Sequence, residues 1–417
     1  MDGDSVVKSV LPQQFDRRPA QFPWNDVLQY MINPVTTEEF FSRYYEREYL
    51  YVSRNDPEPY APLLSIDKID RFIAGSDLRE GMVDLVDQGR EIHREDYVAD
   101  GGLIIRRDVI REHQMGATLV FPQLHHSDPI LASFCQAIEH KFSCHSQTNI
   151  YMTPPDRQGF PIHYDNHDVF VLQISGEKRW RLYNVSQDTP YRGEGFERAR
   201  HKVGDKQADF VMRPGDMLYV PRGLMHDALT VGDEPSLHIT VGLIVKTWAD
   251  LMLEAVSQLM VEDTDFRRSL PIGHASDNFD RTEARAFFKS LTAKIAEKAK
   301  MDDALDLLAD QFIRSRDQDV SLGILEATKP ISQKQVYQRR PFIPYRIAEE
   351  GENVILISPG GDTEFLAKDL EALERALSGE PFTVRDLSSG NAKEMIRSLT
   401  AAGAIGSITD SAGRPST

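Results

Sequence analysis

Residues Gly159–Tyr183 read GFPIHYDNHDVFVLQISGEKRWRLY. An apolar run, DVFVLQI, separates a segment crowded with His and Asp from a run in which charged and apolar residues alternate. Side chains two apart on an extended chain leave the same face. His163 and Asp165 therefore offer a nitrogen and an oxygen to one cation. His-x-Asp is a weak signal alone, and it recurs at His126-Ser127-Asp128. There Ser127 or Asp128 reads instead as the N-cap of a helix over SDPILASFCQAIEHKF.

The first pair gains weight from RPGDMLYVPRGLMH further along the chain. Pro221 and Gly223 fix the backbone just ahead of His226, so that its imidazole projects from a defined corner. Two histidines and one carboxylate on adjacent strands make the facial triad that holds ferrous iron and leaves positions open for substrate and dioxygen. His167 is left out of this set because its spacing from His163 does not aim it reliably.

In EKRWRLY the alternation puts Lys178, Trp180 and Leu182 on one face, and Arg179, Arg181 and Tyr183 on the other. A lysine aligned with Trp and Leu calls for an anionic partner inside. A dicarboxylate chelating iron at one end would place its far carboxylate there. Ser175-Gly176 reads as the turn that brings Lys178 back toward the metal. His167, Asp168, Arg179 and Arg181 read as pocket rim or surface.

The rest of the chain divides by texture. Upstream, TTEEFFSRYYEREYLYV has a threonine N-cap and aromatic residues at helical spacing, leading into a short strand; LSIDKIDRFIAG repeats the helical pattern with Gly75 as C-cap. Around the opening stretch lie short β-branched and aromatic runs punctuated by Pro and Gly, the pattern of a sheet closed into a barrel or sandwich. From about Thr247, TWADLMLEAVSQLM, TEARAFFKSLTAKIAEKA and DDALDLLADQFIRSR read as amphipathic helices with little core of their own, a type that pairs with a second copy. The last part reads as the strand NVILISPG, a helix over DTEFLAKDLEALERALSG, the segment FTVRDLSS, a helix over NAKEMIRSLTAAG and the strand-like AIGSIT, a winged-helix-like arrangement.

At 417 residues more than one folding unit is expected. Forty-one per cent hydrophobic and 27% charged residues argue against wholesale disorder. The two cysteines, Cys135 and Cys144, are too few for a disulfide framework and lack zinc-ligand spacing. They read as buried thiols in a reducing compartment. With neither a signal-peptide pattern nor a long apolar stretch, the chain reads as a cytoplasmic protein without a membrane partner. A formal net charge of −17 disfavours direct nucleic-acid binding and favours a basic protein or peptide.

Taken together, these segments resemble the JmjC-type, cupin-fold, 2-oxoglutarate-dependent oxygenases, and within them the ribosomal oxygenase subgroup that hydroxylates protein side chains. The resemblance rests on His-Tyr-Asp, on Lys178, on PGDMLYVPRGLMH, on the strand TNIYMTPP before them and on SLHIT after His226. Its specific motifs lie between Asn149 and Gly242. It implies an α+β multidomain chain: a double-stranded β-helix catalytic domain with N-terminal helices over 1–246, a helical dimerisation region over 247–315 and a winged-helix-like domain over 316–417. It makes His163, Asp165 and His226 the Fe(II) ligands and Lys178 the partner of the 2-oxoglutarate C5 carboxylate, with Asn149 and Tyr151 lining the cosubstrate and substrate pocket. Where the eukaryotic histidine hydroxylases carry a substrate-contacting serine, HITVG ends in Gly242. The implied reaction consumes 2-oxoglutarate and O2 and hydroxylates a side chain of a protein, ribosomal among the possibilities, or of a peptide, through a homodimer. The alternatives are hydroxylation of a ribosomally made peptide natural product, N-methyl-lysine demethylation, and a non-catalytic cupin binding or scaffold role.

Overall fold

The computed structural model describes residues 22–54, 56–191, 193–320 and 323–408. These fall into two compact units, one ending at residue 245 and the other beginning at 246.

The first unit contains the strands β1 (Leu50–Val52), β2 (Asp84–Val86), β3 (Thr118–Pro122), β4 (His145–Thr153), β5 (Asp168–Ser175), β6 (Glu177–Val185), β7 (Lys206–Met212), β8 (Met217–Val220), β9 (Leu224–Val231) and β10 (Ser236–Ile244). They form a seven-stranded sheet, ordered β1-β8-β5-β10-β4-β3-β2, and a three-stranded sheet, β7-β6-β9. Val169, Val171, Trp180, Leu182, Met212, Leu218, Val220 and Leu224 meet between the sheets in one apolar cluster, the two-sheet barrel expected from the short strands. The continuous apolar character of DVFVLQI has a simple cause. Its other face is also covered, with Phe170 packed against Phe40, Phe142 and Tyr219.

Chain crossing from one sheet to the other takes a single residue, Gly176, with φ +64; a Cβ there would fall 2.3 Å from the Pro235 carbonyl oxygen. The alternation in β6 holds: Lys178, Trp180 and Leu182 are buried, and Arg179 is exposed.

Asp128 caps the helix Pro129–Phe142 by accepting from Ile130 N and Leu131 N, as its place in HSDP indicates. Thr36 caps the helix Thr37–Glu39 in the same way. Gly75 is the last residue of the helix Ile66–Gly75, and Ser76 is its C-cap. Cys135 and Cys144 are buried and not disulfide-bonded.

Two local readings are corrected. His163 and Asp165 do not share a strand: His163 makes one isolated bridge with His226, and Asp165 lies in the irregular segment before β5. Asp168 is neither rim nor surface; it is fully buried at the start of β5.

In the second unit the helix Trp248–Glu262 buries Leu251 and Ala255 against Ala304 and Leu308 of the helix Met301–Arg314, with the helix Thr282–Lys298 between them in sequence. Beyond these come β11 (Val336–Arg339), β12 (Arg346–Glu350), β13 (Asn353–Ser358), β14 (Gly361–Leu366) and β15 (Ile405–Ile408). β12, β13 and β14 form an antiparallel meander, and β11 pairs with β15. The helix read over DTEFLAKDLEALERALSG begins only at Leu370. Its first residues form β14, because Gly360 and Gly361, at φ +82 and +138, turn the chain back onto β13 and DTEFL alternates in the strand period. No helix of the described residues is long and apolar enough to cross a membrane.

Candidate metal centre

Backbone hydrogen bonds assemble the three candidate ligands before any metal is considered. His163 N donates to His226 O at 3.1 Å, His226 N returns a bond to His163 O at 2.8 Å, and Gly223 N donates to Asp165 O at 2.9 Å. Gly223 has φ +85, and a Cβ there would lie 1.9 Å from the Gln187 carbonyl oxygen, so the corner before His226 admits only glycine. Arg222 is buried beside it, 2.7 Å from both Asp168 and Glu46. On the outer face next to His226, Asp227 receives a two-pronged bond from Arg181. Gln158 ties the same carboxylate to the loop that leads to His163.

The side chains complete the arrangement. His163 Nδ1 lies 2.8 Å from Pro161 O, and His226 Nδ1 lies 3.0 Å from Leu224 O. A carbonyl oxygen only accepts, so each Nδ1 carries the proton and each Nε2 presents its lone pair. Those Nε2 atoms stand 4.0 and 3.7 Å from the Asp165 carboxylate. One donor atom from each residue falls within 4.8 Å of the others. Burial, then the neighbouring His163, pushes the His226 imidazole down to about 4, while Asp165 acts in the opposite direction. The imidazole is therefore neutral at pH 7. Two imidazole nitrogens and one carboxylate on one side of a point are the donor set of non-haem ferrous sites, and these residues fit that ion.

On β6, the strand paired with the β9 strand of His226, Lys178 is buried, with its Nζ 3.0 Å from Thr153 Oγ1. Among the described residues no carboxylate pairs with it, and burial alone pulls its ammonium down to about 7. Thr230 stands opposite Lys178 in the β6–β9 register. Its Oγ1, His238 Nδ1 and Trp180 Nε1 are buried without a hydrogen-bond partner among the described residues. Unpartnered buried polar atoms beside a lysine without a carboxylate partner are the surroundings that an anion would complete. Tyr151 stacks on His238 at 4.9 Å, and burial raises its hydroxyl above the ordinary range. Asn149 is on the same face of β4, its Oδ1 accepting from Gln123 N.

The structure thus brings together His163, Asp165 and His226, and places Lys178 on β6 and Tyr151 and Asn149 on one face of β4. Gly242 lies on the same inward face of β10, two pairs along from His238. Thr153, Thr230 and His238 were missed by the sequence reading. Their signal was present in the period of two: Asn149-Tyr151-Thr153, His226-Ala228-Thr230 and His238-Thr240-Gly242 each share a face.

Residues 123–251 match the JmjC domain family. The chain carries that domain match and is similar to proteins of the ribosomal-oxygenase kind. The bifunctional lysine-specific demethylase and histidyl-hydroxylase NO66 of Aedes aegypti is 30% identical over 299 residues, covering 68% of this chain and 47% of the relative. The solved structure of E. coli ycfD matches the fold with a TM-score of 0.53 at 15% identity, over 90% of this chain and 98% of that one. A second structure of that protein, described as a ribosomal oxygenase in complex with cobalt and 2-oxoglutarate, matches with a TM-score of 0.50 at 14% identity, over 90% and 99%. The JmjC chain spans about half the length of the curated relatives it matches.

Proposed function

We propose that this JmjC chain is an Fe(II)- and 2-oxoglutarate-dependent oxygenase that hydroxylates an amino-acid side chain of a protein or peptide. The observation that carries the reading is a three-donor point at His163, Asp165 and His226 together with the buried Lys178, which has no carboxylate partner among the described residues and lies on the strand paired with that of His226. The cobalt and 2-oxoglutarate complex of the ycfD structure and the hydroxylase in the NO66 name support it.

In this reading His163, Asp165 and His226 hold Fe(II) and Lys178, backed by Thr153 and Thr230, binds the far carboxylate of 2-oxoglutarate. The bound metal and cosubstrate supply oxidative decarboxylation, with O2 consumed, succinate and carbon dioxide released, and one oxygen atom inserted into a substrate C–H bond. The chain's own contribution is positional. The two Nδ1–carbonyl bonds keep both imidazoles facing the metal, Lys178 aligns the cosubstrate, Trp180 and Tyr151 wall off water, and Asn149 and Tyr151 border the substrate side.

Purified protein with Fe(II), 2-oxoglutarate and basic peptides is expected to add one oxygen atom to a peptide, and the product should vanish in His163→Ala. Product that persists in that variant refutes the assignment. The NO66 name also carries lysine demethylation; on the same site this second reading would appear as loss of a methyl group, with formaldehyde, from N-methyl-lysine peptides.

The region 247–315 is proposed as a dimerisation element and 316–417 as a winged-helix-like domain. Supporting the former, the helix Trp248–Glu262 leaves Trp248, Met252, Leu253 and Val261 exposed. Light scattering should give twice the chain mass, and a monomer at micromolar concentration would refute it. The acidic charge suits a basic substrate segment, and the cytoplasm remains the proposed compartment.

A further inference from the structure

The segment that leads to His163 runs antiparallel to β9. Thr230 N donates to Arg157 O at 3.0 Å, and further along His163 and His226 exchange their pair of backbone bonds. Between these points the segment runs from residue 157 to 163 while β9 runs only from 226 to 230, so the segment carries two extra residues and bulges. Among the described residues no backbone group of residues 158–162 bonds to β9, and Pro161 has no N–H to offer. The bulge also aims the His163 imidazole, because Pro161 O holds its Nδ1 at 2.8 Å. A stretch without ladder bonds is the part of a fold that opens most easily, so this ligand needs another anchor.

A side chain of β9 supplies it. Asp227 follows His226 and faces outward, opposite Arg181 in the β6–β9 register, yet it is buried. Arg181 grips its carboxylate with Nε 2.9 Å from Oδ1 and Nη2 2.5 Å from Oδ2. A two-pronged guanidinium fixes the direction of a carboxylate as well as its place. The Gln158 amide nitrogen donates to that carboxylate at 3.1 Å and to Phe160 O at 2.8 Å. One carboxamide therefore joins the fixed Asp227 to a carbonyl in the middle of the bulge. The neighbouring outward pair on β6, Arg179 with Asp209, has the same two-pronged form at 2.6 and 2.8 Å but ties β6 to β7 instead.

We infer that Asp227, held by Arg181 and acting through Gln158, is a positioning residue for the metal centre: it takes the place of the ladder bonds missing from residues 158–162 and sets the separation of His163 from His226. The inference rests on the proposed metal reading of the triad. His226 is placed by β9 itself, whereas His163 depends on this clamp. Cutting the clamp loosens one ligand and leaves the barrel strands paired.

The test uses the full chain with Co(II) as the probe. Gln158→Met keeps the length of the side chain and removes the link while Asp227 and Arg181 stay paired; Asp227→Asn weakens both grips. Each should weaken Co(II) binding by about tenfold or more, the usual effect of losing a group that orients a metal ligand, and should change the visible absorption of the bound cobalt. Without metal, Gln158→Met should melt within about 3 °C of wild type. Arg179→Met, which removes the matched pair, should leave the cobalt spectrum unchanged and the affinity within about twofold. Unchanged cobalt affinity and spectrum in both Gln158→Met and Asp227→Asn overturn the inference. So does equal weakening by Arg179→Met, and so does a metal-free Gln158→Met chain that melts far below wild type, because the contact then serves the fold. A wild type that binds no cobalt refutes the metal reading, and this inference falls with it.

Discussion

Replacing Lys178 by Met should make the protein more stable and unable to bind 2-oxoglutarate. In the native chain the ammonium is buried, touches Thr153 Oγ1 at 3.0 Å and has no carboxylate partner among the described residues. Its pKa falls from 10.5 to about 7. That shift corresponds to about 5 kcal/mol of penalty on charging the folded state, at about 1.4 kcal/mol per unit. The unfolded chain charges this lysine below pH 10.5, whereas the folded chain does so only below about 7. The cost to stability is therefore zero above the upper value, grows as pH falls, and is complete below the lower one. Methionine matches the length and apolar stem without the charge. After allowance for local relaxation, Lys178→Met should gain about 2–4 kcal/mol at pH 7, and the gain should disappear by about pH 10. Calorimetric melting of both proteins across this range measures the gap. Titration with 2-oxoglutarate should show affinity reduced at least about a hundredfold, the loss expected when one member of a desolvated charge pair is removed. A variant that melts lower than wild type at pH 7, or binds 2-oxoglutarate unchanged, would refute the reasoning.

Because burial alone pulls Lys178 down to about 7 and a bound carboxylate favours its charged form, binding 2-oxoglutarate at pH 8 should take up a proton. Calorimetry in two buffers of different ionisation enthalpy should give different heats, and equal heats would count against Lys178 as the carboxylate's partner. Asp168→Asn removes a buried charge that Arg222 and Tyr219 both hold at 2.7 Å. Stability should fall by about 3 kcal/mol, and cobalt affinity should weaken because Arg222 neighbours the Gly223 corner; an unchanged melt refutes this. Gly223→Ala must place a Cβ against the Gln187 carbonyl at a left-handed φ, so a loss of about 3 kcal/mol or more is expected, read as a lower melting temperature of the barrel unit.

The metal centre was legible because its signal is local. His-x-Asp and the Pro-x-Gly corner before His226 constrain chemistry over a few residues. The reason given for His163 and Asp165 was nevertheless incomplete: no common strand joins them, and the backbone pair with His226 sets their positions. Asp168 looked like rim because its partner, Arg222, is remote in sequence. The helix read over DTEFLAKDLEALERALSG lost its opening residues to β14, where a glycine turn and pairing with β13 outweighed the local pattern.

The sequence by itself determined the strand periods, the inward side of each strand, the triad and the exceptional lysine, since all depend on residue type and spacing of two. Only tertiary structure decided which inward faces meet. Thr153 and Thr230 flank Lys178, and His167 occupies the space above Gly242, because β4, β9 and β10 pair in one register with strands distant in sequence. That register is fixed by cross-strand packing and turn geometry, which no single stretch of chain contains.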